Sequence, residues 1–113
     1  MENNNLEAPA EGRSLTEKIR DSLKTVNDPE IGFNIVDLGL IYGINVDDEK
    51  NAVIQMTLTS PGCPAGPEML AAAHMAALNT EGVSKVKVDL VWDPLWDPKT
   101  MASEDIKLEF GIL

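Results

Sequence analysis

The only cysteine of the 113-residue chain, Cys63, lies in the segment TSPGCPAGP, residues 59–67, among prolines and glycines. As a thiolate it is both a nucleophile and a soft metal ligand. The alternating apolar residues before it read as a strand, and the run rich in Ala and Met after it reads as a helix. If Pro64 takes the first helical position, Cys63 is the N-cap; if Pro67 takes it, Gly66 is the cap and the thiol sits about one turn ahead. Either placement brings the sulfur toward free N–H groups and the positive end of the helix dipole, which favours thiolate over thiol. A lone cysteine is otherwise a small apolar core residue. Its polar strand-to-helix loop argues here for a thiol that solvent reaches.

Hard oxygen donors stand elsewhere in the chain. Asp28 and Glu30 flank Pro29 in a DPE segment, Asp37 opens DLGL, and Thr57 and Thr59 precede the cysteine loop. Each has a plainer reading: turn residues for the two acids of DPE, a local cap for Asp37, and a solvent-facing strand side for the threonines. His74 follows Cys63 along the helix, which carries it roughly 15 Å away at 1.5 Å per residue. That is too far for a nucleophile–base pair, which needs contact of about 3 Å. Trp92 and Trp96 in WDPLWDP read as packing over the sheet edge, or as a partner surface if exposed. No GxxxxGK[ST], GxGxxG or HExxH pattern is present. One cysteine and one histidine cannot supply a four-ligand zinc site from those residues within one chain.

The elements that must position these residues follow from periodicity. Residues 1–13 carry no apolar period and read as a disordered acidic tail, so the domain is expected over 14–113. Ser14 and Glu17 form a candidate capping box ahead of a helix whose apolar face is Leu15, Ile19, Leu23 and Val26. Pro29 ends it near Val26 or Asn27. Strand signals run from Leu40 to Val46, with Leu40, Tyr42, Ile44 and Val46 on one side, and from Ala52 to Thr59, with Ile54, Met56 and Leu58 on one side. The short polar turn DDEKN makes them an antiparallel hairpin. A second helix ends at Leu78 before Gly82, and a third strand spans Val83–Trp92 with Val86, Val88, Leu90 and Trp92 inward. A proline-braced loop and a short helix from Ser103 to Glu109 close the chain. The expected fold is a two-layer α+β sandwich: a three-stranded sheet, two main helices and a short C-terminal helix. In the hairpin Leu40 neighbours Thr59, which brings the Asp28–Asp37 loop near Cys63.

Composition bounds the function. Nineteen acidic against nine basic residues give a net charge of −10, and the basic residues are scattered. That excludes a nucleic-acid partner and an anionic membrane surface, both of which need clustered Lys and Arg. The most apolar stretch, Met69 to Leu78, is interrupted by His74 and is far short of the ~20 residues that span a bilayer. With no secretory pattern and no disulfide pair, the expectation is a soluble cytoplasmic protein.

Three segments, VNDPEIGFNIVDLGLIYGI, MTLTSPGCP and VWDPLWDPKTMASED, in this order and spacing, resemble the small iron–sulfur cluster assembly domain. This is the family of the bacterial SufT and PaaD proteins and of the eukaryotic cytosolic cluster-targeting factors. The resemblance covers about residues 14–113. It implies a compact α+β domain that delivers iron–sulfur clusters to apoproteins and has no turnover reaction of its own. It also implies cluster-binding roles for Asp28, Glu30, Thr59 and Cys63, with Cys63 as the metal ligand, and less decisively for Thr57 and Asp37. Cluster irons are usually held by four thiolates, and this chain has one. A transient cluster, not held stably by the isolated monomer, is therefore expected. Its remaining ligands would come from a homodimer with added thiols, or from a client or carrier protein. The expected partners are assembly proteins and client apoproteins. The P-loop ATPase fused to this domain in some relatives would here be a separate scaffold. Two rival readings stand beside this one. The first is a metal-free adaptor that docks client enzymes, or a multicomponent oxygenase as a PaaD-like protein, through the Trp96 and cysteine loops. The second is an enzyme with Cys63 as nucleophile, which lacks an evident base.

Overall fold

Leu15, Ile19, Leu23 and Val26 recur at helical spacing, and all four are buried, Ile19 and Leu23 completely. The computed structural model describes residues 11–111; the first ten positions of the expected tail lie outside the described residues. Helix α1 spans Glu11–Leu23, so it starts ahead of Ser14, which lies within the helix and is not its cap. Burying one aliphatic side chain is worth about 1.5–3 kcal/mol, against about 1 kcal/mol for a cap. The apolar face therefore dominates the helix. Its C-terminal end unwinds through short bonds, Thr25 N–H to the Ser22 carbonyl and Val26 N–H to the Leu23 carbonyl, both 3.1 Å, before Pro29.

Strands β1 (Ile41–Val46) and β2 (Asn51–Met56) form the expected antiparallel hairpin, with Ile44 opposite Ile54 and Val46 opposite Ala52. Asp47 builds the turn. Its Oδ1 accepts from the N–H groups of Glu49 and Asn51 at 2.9 Å each, while Lys50 adopts a left-handed φ of 69°. These bonds, the Asn51 backbone N–H first, hold the Asp47 carboxyl below its usual range. Strand β3 (Lys85–Leu90) pairs with β2 in parallel, Val88 opposite Ile54, giving the order β1-β2-β3. Parallel neighbours require a crossover, and helix α2 (Gly66–Leu78) supplies it.

Both long helices pack on one face of the sheet. Ala52, Ile54 and Met56 from β2 are buried together with Met69, Ala73 and Ala77 from α2. The opposite face carries exposed Asn45, Gln55, Lys85 and Lys87. This is the two-layer α+β sandwich that the periodicity predicts.

The differences are local and have physical causes. A bulge between Ile41 and Gly43 makes Tyr42 the extra residue of β1, so alternation from Leu40 does not continue through Tyr42. β2 ends at Met56, and the next residue breaks the expected pattern: Thr57 is fully buried, not solvent-facing. β3 is shorter than Val83–Trp92, and Leu90, at the end of this edge strand, is 39% exposed. The proline-braced segment contains a short helix, α3 (Pro98–Met101), whose first turn is capped by the Asp97 side chain. Helix α4 (Glu104–Phe110) matches its expected span; the Ser103 hydroxyl caps its start and Gly111, with φ of 74°, closes it. No helix among the described residues is long and apolar enough to cross a membrane.

Candidate functional site

The DPE segment folds as a miniature hairpin. Asn27 and Asn34 form a bridge, and Asp28 N–H donates to the Phe33 carbonyl at 2.9 Å. The tip turns on Gly32, whose φ of 88° is costly for a side chain with a Cβ. Asp28 holds the turn from inside: its Oδ1 accepts from Glu30 N–H at 2.9 Å and Ile31 N–H at 3.3 Å. The plain turn reading of Asp28 is therefore correct for this oxygen. It does not cover the other one. Asp28 is completely buried, and Oδ2 has no hydrogen-bond partner. An orphaned buried acceptor costs on the order of 1–3 kcal/mol, more when charged. Glu30, by contrast, projects to solvent.

Cys63 lies where two turns meet. Its N–H donates to the Ser60 carbonyl at 3.2 Å, and its own carbonyl accepts from Gly66 N–H at 3.1 Å. Gly66 opens α2 after an Ala65 cap, with Pro67 next, so the thiol precedes the helix and does not cap it. A Cβ on Gly66 would come within 2.8 Å of Leu58 Cδ1. The sulfur is packed into the core: Cys63 is 8% exposed and belongs to the core cluster. Readily accessible thiol, the expectation from the polar loop, is corrected by this packing.

Thr57 N–H donates to the Leu40 carbonyl at 2.8 Å, so Thr57, and not the expected Thr59, pairs with Leu40 at the end of the hairpin. A groove of about 440 Å³ runs between the DPE loop and α2, with Asn27 and Pro29 on one wall and Glu68, Met69 and Met75 on the other. Thr59, at the entrance to the cysteine loop, is half-buried. Among the described residues, no group of three or more His, Cys, Asp or Glu side chains is arranged to hold a metal ion.

The remaining candidates have structural work. Asp37 Oδ2 accepts from Asn34 Nδ2, and Asp37 N–H donates to Asn34 Oδ1, both at 2.9 Å. His74 is a half-buried residue of α2. Trp92 and Trp96 pack against the core, and Trp96 Nε1 donates to the Leu38 carbonyl at 2.7 Å. Thr57 is the residue that strand alternation misplaces. Its Oγ1 is buried without a hydrogen-bond partner, in the vicinity of the Tyr42 hydroxyl. A signal was available in the sequence: Met56, Thr57 and Leu58 stand just before a proline-rich loop, where a strand leaves its sheet and alternation lapses.

Known proteins are similar to this chain in sequence and in fold. The chain is 43% identical over 97 residues to the Fe-S protein maturation auxiliary factor of Porphyromonas gingivalis, covering 86% of this chain and 91% of that one. It is 41% identical over 87 residues to the Fe-S protein maturation auxiliary factor SufT of Staphylococcus aureus, covering 77% and 98% respectively. A crystal structure of a domain of unknown function from Bacillus anthracis superposes with a TM-score of 0.82 at 36% identity, over 90% of this chain and 96% of that one. The family model for iron–sulfur cluster assembly proteins matches residues 16–90, which include the DPE hairpin, the cysteine loop and all three strands. With the strands, the thiol loop and α2 all inside that match, the chain belongs to the iron–sulfur cluster assembly protein family.

Proposed function

We propose that this protein is an accessory factor in iron–sulfur protein maturation, in which Cys63 serves as a transient thiolate ligand to a cluster in transit. The observation that carries the reading is the family match, whose residues 16–90 include both the DPE hairpin and the loop of the only thiol. The relatives named as maturation factors support the same role.

The cluster is cargo in this reading. A cluster usually takes four thiolates, and the chain has one cysteine. Donor or client thiolates fill the other positions. A single protein ligand suits transfer, because exchange of one thiolate for a client's releases the cargo. The Asp28 Oδ2 acceptor, Glu30 and the Thr59 hydroxyl supply oxygen donors that steady the exchange or hold a proton leaving the thiol. The cysteine loop must open for this, because the sulfur is 8% exposed. No reaction of covalent turnover is assigned to the chain.

The test is anaerobic cluster reconstitution followed by activation of an apo iron–sulfur enzyme, comparing wild type with Cys63→Ala. Loss of activation by tenfold or more, with an unchanged fold and unchanged partner binding, is the expected result. Full activation by the variant would remove the ligand role. The second reading, a metal-free adaptor, would then stand, and it draws its support from the burial of the sulfur in the core.

A further inference from the structure

A second groove, of about 500 Å³, shares no lining residue with the first and is walled by the side chains of Arg20, Val36, Ile41, Tyr42, Pro94 and Met101, with Gly39 also in its lining. Its walls are fixed. Tyr42 donates its hydroxyl to the Pro94 carbonyl at 2.8 Å, Trp96 Nε1 bonds the Leu38 carbonyl at 2.7 Å, and Ser103 N–H bonds the Asp37 carbonyl at 2.8 Å. Gly39, at a φ of 85°, lets the two walls meet, since a Cβ there would collide with the Met101 carbonyl. Four of the six lining side chains, Val36, Ile41, Pro94 and Met101, are apolar, and the Tyr42 proton is already committed.

Arg20 is the exception. It is half-buried, and its guanidinium has no ion pair or hydrogen bond among the described residues. A guanidinium presents five donors in a fixed fork that matches a carboxylate. The chain has nineteen acidic side chains against nine basic ones, so carboxylates are in excess, yet none of the described ones pairs with Arg20. Its place in the last turn of α1 suits a positive charge near the helix C-terminus. That accounts for the sign of the residue, not for donors left open beside an apolar channel.

We propose that this groove is a binding site for a carboxylate carried next to an apolar group, with Arg20 holding the carboxylate and Val36, Ile41, Pro94 and Met101 holding its apolar neighbour. A single cation selects a single negative charge. The chain's net charge of −10 repels any anion, but it repels a phosphate dianion about twice as strongly as a carboxylate for the same single cation. The site uses none of the residues of the thiol loop and does not depend on its role.

The probes are 4-methylpentanoate and its neutral isostere 4-methylpentanamide, titrated into the labelled full chain and followed by amide chemical shifts. A second pair, the capped peptides acetyl-Leu-Glu-Leu-amide and acetyl-Leu-Gln-Leu-amide, distinguishes a carboxylate borne by a protein from a free acid. Saturable shifts in segments 36–42 and 94–101 are expected with the acids, at least tenfold weaker with the amides. The tighter acid identifies the source. Arg20→Gln, which keeps helix propensity, should abolish saturation with a native spectrum, and Arg20→Lys should weaken it severalfold by losing the fork. Equal binding of acid and amide, retention in Arg20→Gln, or no saturable shift with either acid would overturn the proposal.

Discussion

Two segments of this chain are stiffened by proline, and they are held in opposite ways. The cysteine loop, with Pro61, Pro64 and Pro67, is fastened by neighbours: Cys63 N–H to the Ser60 carbonyl and Gly66 N–H to the Cys63 carbonyl. The segment around Pro94 and Pro98 is fastened by distant elements. Val91 N–H reaches the Met56 carbonyl at 2.8 Å, Trp96 reaches Leu38, Tyr42 reaches Pro94, and Ser103 reaches Asp37. Proline narrows the unfolded ensemble in both. Opening costs differ. The cysteine loop can swing out on losing side-chain packing and local turns, whereas the C-terminal strap gives up several tertiary hydrogen bonds at once. A buried thiol that must become a ligand belongs on the first kind of segment, and a wall that must keep its shape belongs on the second.

The largest stability effect expected from this contrast is at Trp96. Replacement by Ala removes half-buried ring packing and the bond to Leu38, at a cost of about 3 kcal/mol in urea unfolding. Trp96→Phe should keep most of the packing and cost about 1–1.5 kcal/mol. Cys63→Ala removes one small buried sulfur and should cost about 1 kcal/mol. A cysteine variant more damaging to stability than Trp96→Ala would reverse the comparison.

Native-state hydrogen exchange sharpens it next. The Cys63 and Gly66 amides, bonded only within the loop, should exchange at least tenfold faster than the Ser103 and Val91 amides, bonded across the fold. Equal protection would mean that the cysteine loop opens only with global unfolding, and transfer through Cys63 would lose its physical route.

What could be read from the sequence follows the same division between local and distant bonding. The buried face of α1, the hairpin, the Ser103 cap and the Gly111 stop are set by spacing and by residues within one turn of each other. The Tyr42 bulge and the buried Thr57 are not, because both lie where the C-terminal strap meets the hairpin's end. Helix α3 does carry local signals, the Asp97 cap and Pro98 in its first turn, but at four residues it is too short to show a period. The site divides likewise. Cys63 and the DPE loop are visible by residue type, whereas the groove beside the DPE hairpin, walled by α2, is not. The sealing of the sulfur was hidden, since it arises from tertiary packing that residue type in the loop does not report. Asp28 was half legible: its turn-forming oxygen follows from the DPE sequence, while the unpartnered one depends on burial.

The smallest effect tests the strap at a single atom. Tyr42 is the chain's only tyrosine, so absorbance near 295 nm reports its ionisation alone. Burial raises its pKa above the ordinary value of 10.0, and the nearby Thr57 hydroxyl offsets this only in part. A folded value above the unfolded one means that the group stabilises the fold fully below about pH 10 and loses that contribution as pH rises through the folded value. The native chain should therefore show its phenolate step at higher pH than the chain in urea. Thr57→Val removes the hydroxyl that favours the phenolate, so the native step should move further up, while Tyr42→Phe should erase the step and free the Pro94 carbonyl. A native step at or below the urea value would mean that the hydroxyl faces solvent and that the strap does not close over the hairpin as its hydrogen bonds require.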